Sequence, residues 1–403
     1  MDGLTDGISE RGAGRTKGQE RDVIFANALI ALPDRMTSGR VRIEDGLIAE
    51  VTEADGVPSS TDAEVIDCAG DVLMPGMIEL HTDNVEKHVL PRPGAHWPAL
   101  PAAIAHDAQV ASAGITTVFD AVAVGAYEKD TMRLAMLQDV CDALEEGTGH
   151  GLFKSEHIVH LRCEVGFGGL EPLLDPLIGK PRVGLVSIMD HTPGQRQFTD
   201  LATYRRYYTQ KHGYSDEEMD QYIADRLEDQ TRYSAKNRAY AVALAHKYGY
   251  AIASHDDATP DHVAEAVRDG MTIAEFPTTT DAAKASHESG LSVLMGAPNV
   301  VRGGSHSGNV AARELAENGH LDILSSDYAP AALIHAAFML ADQVAGMGLA
   351  DAIAMVTCNP ARAAGLNDRG EIAPGLRGDL VRVEDHEHHP LIRSVWRGGG
   401  RVA

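Results

Sequence analysis

Eight short apolar runs, each closing on polar residues and separated from the next by a helix-compatible stretch, occupy the chain from about Gly76 to Gly365. They are MIELH (77–81), ITTVFDAV (115–122), HIVHLRCEV (157–165), VGLVSIMDH (183–191), AIASHDD (251–257), TIAEF (272–276), LSVLMGAP (291–298) and LDILSSDY (321–328). A strand buried on both faces reads as a nearly continuous apolar run, and strands that alternate with helices form a parallel sheet. Eight such units close into a (β/α)8 TIM-type barrel, whose catalytic groups gather at the C-terminal ends of the strands. The stretch 194–249, rich in Tyr, Arg, Gln and Glu, is too long for one crossover and predicts extra helices that cap or extend the site.

The chain ends read differently. From Val23 come the β-like segments VIFANALIAL, GRVRIEDGLIAEVT with its Asp45-Gly46 turn, and AEVIDCAGDVLMPG, the domain boundary being set at residue 73; residues 366–403 add GDLVRVEDH and IRSVWRGGGRV. Both ends together predict a small β-sandwich domain attached to a barrel of residues 74–365, an α/β architecture overall. Residues 1–22 are Gly- and charge-rich without periodicity, which predicts a disordered leader.

Composition narrows the function. Apolar residues make up 44% and charged residues 23% of the 403, enough to bury a large core. A formal charge of −24 with no basic stripe argues against nucleic-acid binding, because the overall field repels a phosphate backbone. Cys68, Cys141, Cys163 and Cys358 form no CxxC pair, so neither a disulfide framework nor a thiolate metal site is expected. No apolar stretch approaches about 20 residues and the N-terminus lacks the apolar core of a signal peptide, so the expectation is a cytoplasmic protein without membrane contact.

Six residues at run ends are good ligands for a divalent ion: His81, Asp83, Glu164, His191, His255 and Asp327. The period-2 spacing of His81 and Asp83 sends both side chains to one side of an extended strand. Glu164 has two oxygens with which to bridge two ions, His191 and His255 suit a second ion, and Asp327 is placed to ligate the first and take a proton from water. One such residue alone is ordinary. Several on separate strands of one barrel are not, because these groups are costly to bury unpaired. Glu275, ending the sixth run, competes with the histidines for a ligand position, whereas His160 reads as a core histidine.

The segments LMPGMIELHTD, SDYAP and NPARAAGL…GEIAPGLRGDLV resemble the amidohydrolase superfamily. PGMIELHTDN (75–84), DHTPGQRQF (190–198), ASHDDAT (253–259), AEFPTT (274–279), LMGAPNVVRGGSHSGN (294–309) and ILSSDY (323–328) resemble, more narrowly, its diphosphatases of the carbon-phosphorus lyase pathway, from about residue 23 to the end. That resemblance implies hydrolysis of α-D-ribose 1-methylphosphonate 5-triphosphate to the 5-phosphate and pyrophosphate, with Asp327 as general base for attack on the α-phosphorus. It implies a divalent metal cofactor as two ions, and HTD in place of the superfamily's usual HxH admits Mn, Mg or Fe beside Zn. No carbamylated lysine is evident, which leaves Glu164 as the bridge. The competing expectation is hydrolysis of a C–N bond in a cyclic amide or amine by the same ligand set.

A phosphorylated sugar needs cationic and backbone donors that overcome the acidic field. Arg302, Ser305 and His306 in RGGSHSGN supply them, with glycines that allow backbone N–H groups close to phosphate oxygens, and Arg196 in PGQRQF is a further candidate. A homo-oligomer is expected, as in many barrels of this superfamily.

Overall fold

The computed structural model describes residues 22–403 apart from 55, 58–60, 93, 127–130, 197–200 and 306–307. The leader expected over residues 1–22 thus lies outside the described residues but for Asp22.

The chain opens with β1 (Val23–Ala31), β2 (Met36–Glu44), β3 (Leu47–Thr52), β4 (Glu64–Asp67) and β5 (Val72–Pro75). Asp45 and Gly46, both at positive φ (50° and 80°), make the two-residue turn between β2 and β3. Then come the barrel strands β6 (Met77–Thr82), β7 (Ile115–Val124), β8 (Glu156–Glu164), β9 (Val183–Met189), β10 (Ala251–His255), β11 (Ile273–Glu275), β12 (Ser292–Gly296) and β13 (Ile323–Ser325). Three strands end the chain: β14 (Leu380–His386), β15 (His389–Arg397) and β16 (Gly400–Arg401).

Strands β6 to β13 pair in sequence order, each parallel to the next. A parallel bridge between Thr82 and Asp327 joins the first strand to the segment after the last, which closes the barrel. The helices Leu201–His212 and Asp216–Tyr248 fill the long insertion that the sequence marked. The second of these runs 33 residues from a Ser215/Glu218 capping box to a left-handed Gly249. Inside the barrel, Ile78, Leu80, Phe119, Leu185, Ala253, Ile273, Leu294 and Ile323 form an apolar floor. Two residues further along the same strand faces stand Ser187, His255 and Glu275, so the pleat turns polar toward the mouth.

Both chain ends join one hydrogen-bonded sheet of order β16-β15-β14-β5-β1-β2-β3, with β4 added beside β1. Successive residues of its central strands face opposite ways. Val72, Met74, Val381, Val383 and Val395 pack toward the barrel, whereas Leu73, Leu380 and Trp396 join Phe25, Ile30, Val41, Ile43 and Ile48 in a separate core. Phe25 and Trp396, from opposite ends of the chain, meet edge to face with centroids 4.6 Å apart. Among the described residues, no helix is long and apolar enough to cross a membrane.

Candidate active site

At the C-terminal end of the barrel a pocket is walled by His81, Asp83, Arg162, His191, His255, Asp256, Phe276, Arg302, Gly304, Ser305, Asn309 and Asp327, among others. Five of the six expected ligands line it.

His81, the penultimate residue of β6, is 2% exposed. Its Nδ1–H donates to Glu275 Oε1 at 3.0 Å, which fixes the tautomer and leaves Nε2 as the lone-pair nitrogen. Glu275 thus reaches the site, at the least as the carboxylate that orients His81. Burial, with Arg162 and His255 nearby, holds the His81 imidazole well below its ordinary pKa. His160 lies deeper, donating from Nδ1 to the Leu80 carbonyl at 3.0 Å and accepting from Ser187 Oγ at 2.8 Å, the core role expected of it.

His255 ends β10, its ring 5.6 Å from that of His81 and 5.5 Å from that of His191. Neither ring nitrogen of His255 has a hydrogen-bond partner, although Asp256 Oδ2 lies 2.9 Å from Nδ1 in a geometry unsuited to a bond. Glu275 Oε2 and Asp256 Oδ2 are buried and equally unsatisfied. Two groups of three could each hold a cation: His81, His255 and Glu275, and His191, His255 and Asp256. Orphaned nitrogen and oxygen atoms converging in a buried pocket are what a divalent ion would satisfy, so the residues fit a metal.

Glu164 is not on the pocket wall. It sits behind His191, accepting from His191 Nδ1 at 2.6 Å and from its backbone N–H at 3.1 Å. Burial opposes charging His191, but Glu164 and Asp256 outweigh it and push its pKa up to about 10. His191 itself lies two residues past the end of β9.

Asp327 and Asp83 face each other across the barrel seam. Burial first, and the neighbouring Asp83 second, push the Asp327 carboxyl up to about 6. Asp83 lies 3.6 Å from Arg133, which also pairs with Glu86 at 2.8 Å. Below the seam, Glu79 accepts from the His81 backbone N–H at 2.7 Å and Ser325 Oγ at 2.8 Å, joining first and last strands. Its complete burial raises its pKa to about 7.

The glycine-rich loop delivers Arg302, Gly304, Ser305 and Asn309 to the rim, after a helix Ala297–Arg302 that ends on a left-handed Gly303. His306 lies outside the described residues. Arg196 requires a correction, for it does not reach this pocket. Its guanidinium is 6% exposed, ion-paired with Asp257 and, at 2.9 Å, with Glu265, and it lines a different cavity beside the long helix. Two carboxylates one helix away hold it more strongly than a solvated mouth would.

Two charged wall residues escaped the sequence reading. Arg162 is two residues before Glu164 on β8, so the pleat carries both to the interior, and its buried Nε has no partner. The alternation His160-x-Arg162-x-Glu164 was the available signal. Asp256 directly follows His255, but its φ of 56° turns its side chain into the pocket, which a strand pattern does not foretell.

Comparison with known proteins identifies the family. Residues 180–403 match the amidohydrolase family model. The α-D-ribose 1-methylphosphonate 5-triphosphate diphosphatase of Escherichia coli K12 is 47% identical over 382 residues, spanning 94% of this chain and all of that protein. An adenine deaminase of Deinococcus deserti is 31% identical over 161 residues, 40% of this chain and 24% of that one. The crystal structure of 5-methylcytosine deaminase from Klebsiella pneumoniae superposes with a TM-score of 0.63 at 15% identity, covering 95% of this chain and 97% of that one, a likeness of fold. On the full-length match and the family model together, the chain belongs to the amidohydrolase family.

Proposed function

We propose that this chain hydrolyses α-D-ribose 1-methylphosphonate 5-triphosphate to the 5-phosphate and pyrophosphate. One observation carries the reading: a single pocket combines three imidazoles and several carboxylates with two guanidiniums, Arg162 and Arg302. A cationic wall above a metal-ready floor suits a polyphosphate, in which charge is spread over many oxygens. The relative at 47% identity, matched over its whole length, carries that activity in its name.

A divalent cation would be held by His81, His255 and Glu275 or by His191, His255 and Asp256, His255 serving one ion at a time while the remaining pair offers donors for another; bound there, such an ion would neutralise phosphoryl charge and make water more acidic. Two imidazoles and one carboxylate in each group suit Zn, Fe or Mn better than Mg, which prefers oxygen ligands. The chain's own groups do the rest. Asp327, with its carboxyl pushed up to about 6, accepts the proton of the attacking water. Arg162, on the wall inside the barrel, faces the phosphoryl group, while Arg302 with Gly304 and Ser305 takes the departing pyrophosphate at the rim. Phe276 and Pro277 supply the apolar wall that limits solvent.

C–N hydrolysis is the second reading, favoured by the local match to a deaminase. An uncharged amide has no use for two guanidiniums. Phosphorus NMR of the triphosphate substrate with purified protein and divalent metal separates the two. Equal release of pyrophosphate and 5-phosphate is expected. Unchanged phosphorus signals together with turnover of a cyclic amide or amine would establish the other activity.

A further inference from the structure

At the N-terminal end of the barrel, away from the candidate site, the start of β8 and the residue before β9 meet the C-terminal strands around a cavity of about 390 Å3. Its lining includes Ser155, Glu156, Arg182, Arg377, Arg397 and Gly398. Three guanidiniums and one carboxylate therefore share a cavity in a chain whose net charge is −24.

The acidic groups there are already engaged. Glu156 takes Arg369 at 2.7 Å and Arg377 at 2.5 Å, and Arg377 also pairs with Asp379. Asp107, nearby, accepts from His157 and from the backbone N–H groups of Lys154 and Ser155. Among the described residues, the guanidiniums of Arg182 and Arg397 have no ion pair, hydrogen bond or ring contact. Both are half-buried, and burial together with the neighbouring Arg377 pulls Arg397 below the usual arginine pKa, outweighing the opposite pull of Asp379, Glu156 and Asp107, none of which pairs with it. Uncompensated charge in a partly desolvated cavity is unfavourable unless a counter-charge enters it.

We propose that this cavity is a second anion site, which takes a phosphate-class dianion between Arg182, Arg377 and Arg397. Two guanidiniums without an ion-pair partner, beside a third, suit a dianion rather than a single carboxylate, and planar guanidinium forks match tetrahedral phosphate oxygens bidentately. Arg182 belongs to the barrel, whereas Arg377 and Arg397 come from the C-terminal segment, so an anion between them braces the terminal sheet against the barrel base.

The test is calorimetric titration of the full-length, metal-loaded protein with inorganic phosphate, in wild type, Arg302→Ala, Arg182→Gln and Arg397→Gln. Arg302→Ala should retain a phosphate-binding event that the two glutamine variants weaken at least about tenfold, with turnover by those two unchanged. Equal phosphate affinity in wild type and both glutamine variants overturns the proposal, as does absence of any binding event in Arg302→Ala. Should either glutamine variant fail to fold, Arg397→Lys keeps the charge and loses the fork. Phosphate should then raise the wild-type thermal midpoint beyond chloride of equal ionic strength and do so less in Arg397→Lys; equal rises refute the site. Either result leaves the assignment of the barrel mouth untouched.

Discussion

The backbone N–H of Asp83 donates to the carbonyl oxygen of Asp327 at 3.2 Å, and the adjacent Thr82 hydroxyl donates to the same carbonyl at 2.6 Å. The seam between first and last barrel strands is thus what brings two carboxylates together at the mouth. Thr82→Val keeps the shape and removes one of these bonds from a fully buried position. It should cost about 1–3 kcal/mol in chemical denaturation and lower kcat, because the Asp327 backbone loses an anchor. Unaltered stability and kcat would show that the seam positions nothing.

Asp327→Asn removes the proposed base and little volume. The fold should persist by circular dichroism while kcat falls by roughly 100-fold or more. A variant with near wild-type turnover in phosphorus NMR would assign the proton to another group.

Arg302 and Arg196 should separate cleanly. Arg302→Ala is expected to lower kcat/KM about 10- to 100-fold with little change in stability, the loss of a charge-assisted bond to an anion. Arg196→Ala should leave kcat/KM nearly intact but destabilise by about 3–5 kcal/mol, since it strands the buried Asp257 carboxylate. Paired kinetic and urea-denaturation measurements check both, and a kinetic defect confined to Arg196→Ala would reverse the assignment.

Cation removal should act on fold and function together. Exhaustive chelation is expected to abolish turnover and lower the thermal midpoint by several degrees, because a cation at roughly 1,000 times its Kd contributes about 4 kcal/mol to the native state. Adding back divalent metal restores both. A midpoint indifferent to chelation would argue against ligands already gathered in the folded chain.

Stability should also fall toward alkaline pH through one buried group. Burial opposes charging His157, yet Asp120, at 2.7 Å from Nδ1, and Asp107, at 3.2 Å from Nε2, outweigh it and hold the imidazolium up to about 9. Unfolded, the group titrates near 6.5. Its raised folded pKa stabilises fully below about 6.5, and that stabilisation is lost as pH rises through about 9. Thermal midpoints followed from neutral to alkaline pH should drop, and His157→Gln should flatten the slope. A slope identical in the variant assigns the effect elsewhere.

The barrel was legible because strands buried on both faces leave apolar runs, and eight of them recur between helix-compatible stretches, each closing on polar residues. The run AIASHDD ends as a strand at His255, TIAEF at Glu275 and LDILSSDY at Ser325. In each case a residue at positive φ stands soon after: Asp256 at 56°, Phe276 at 52° and Asp327 at 54°. Non-glycine residues in that region carry strain that concentrates at functional sites. Hydrophobic periodicity does not register it. Asp256 escaped notice because the turn that aims it into the pocket leaves no trace in the pattern, whereas Asp327 stood out as the acidic residue at the end of the last run. Arg196 was misplaced for another reason. Proximity in sequence to His191 said nothing of Asp257 and Glu265, which are far along the chain and adjacent in space.

Threading both chain ends through one sheet sets the order of events during synthesis. Strand β5 pairs with β14, which leaves the ribosome roughly 300 residues later. At about 5–20 residues per second that is roughly 15–60 s during which the edge of β5, bearing Leu73 and Met74, has no partner. For that interval the nascent chain carries an open, apolar strand edge, the kind that recruits other chains. The terminal domain is thus the last part of the protein to become safe from aggregation, although its first strand is among the earliest made.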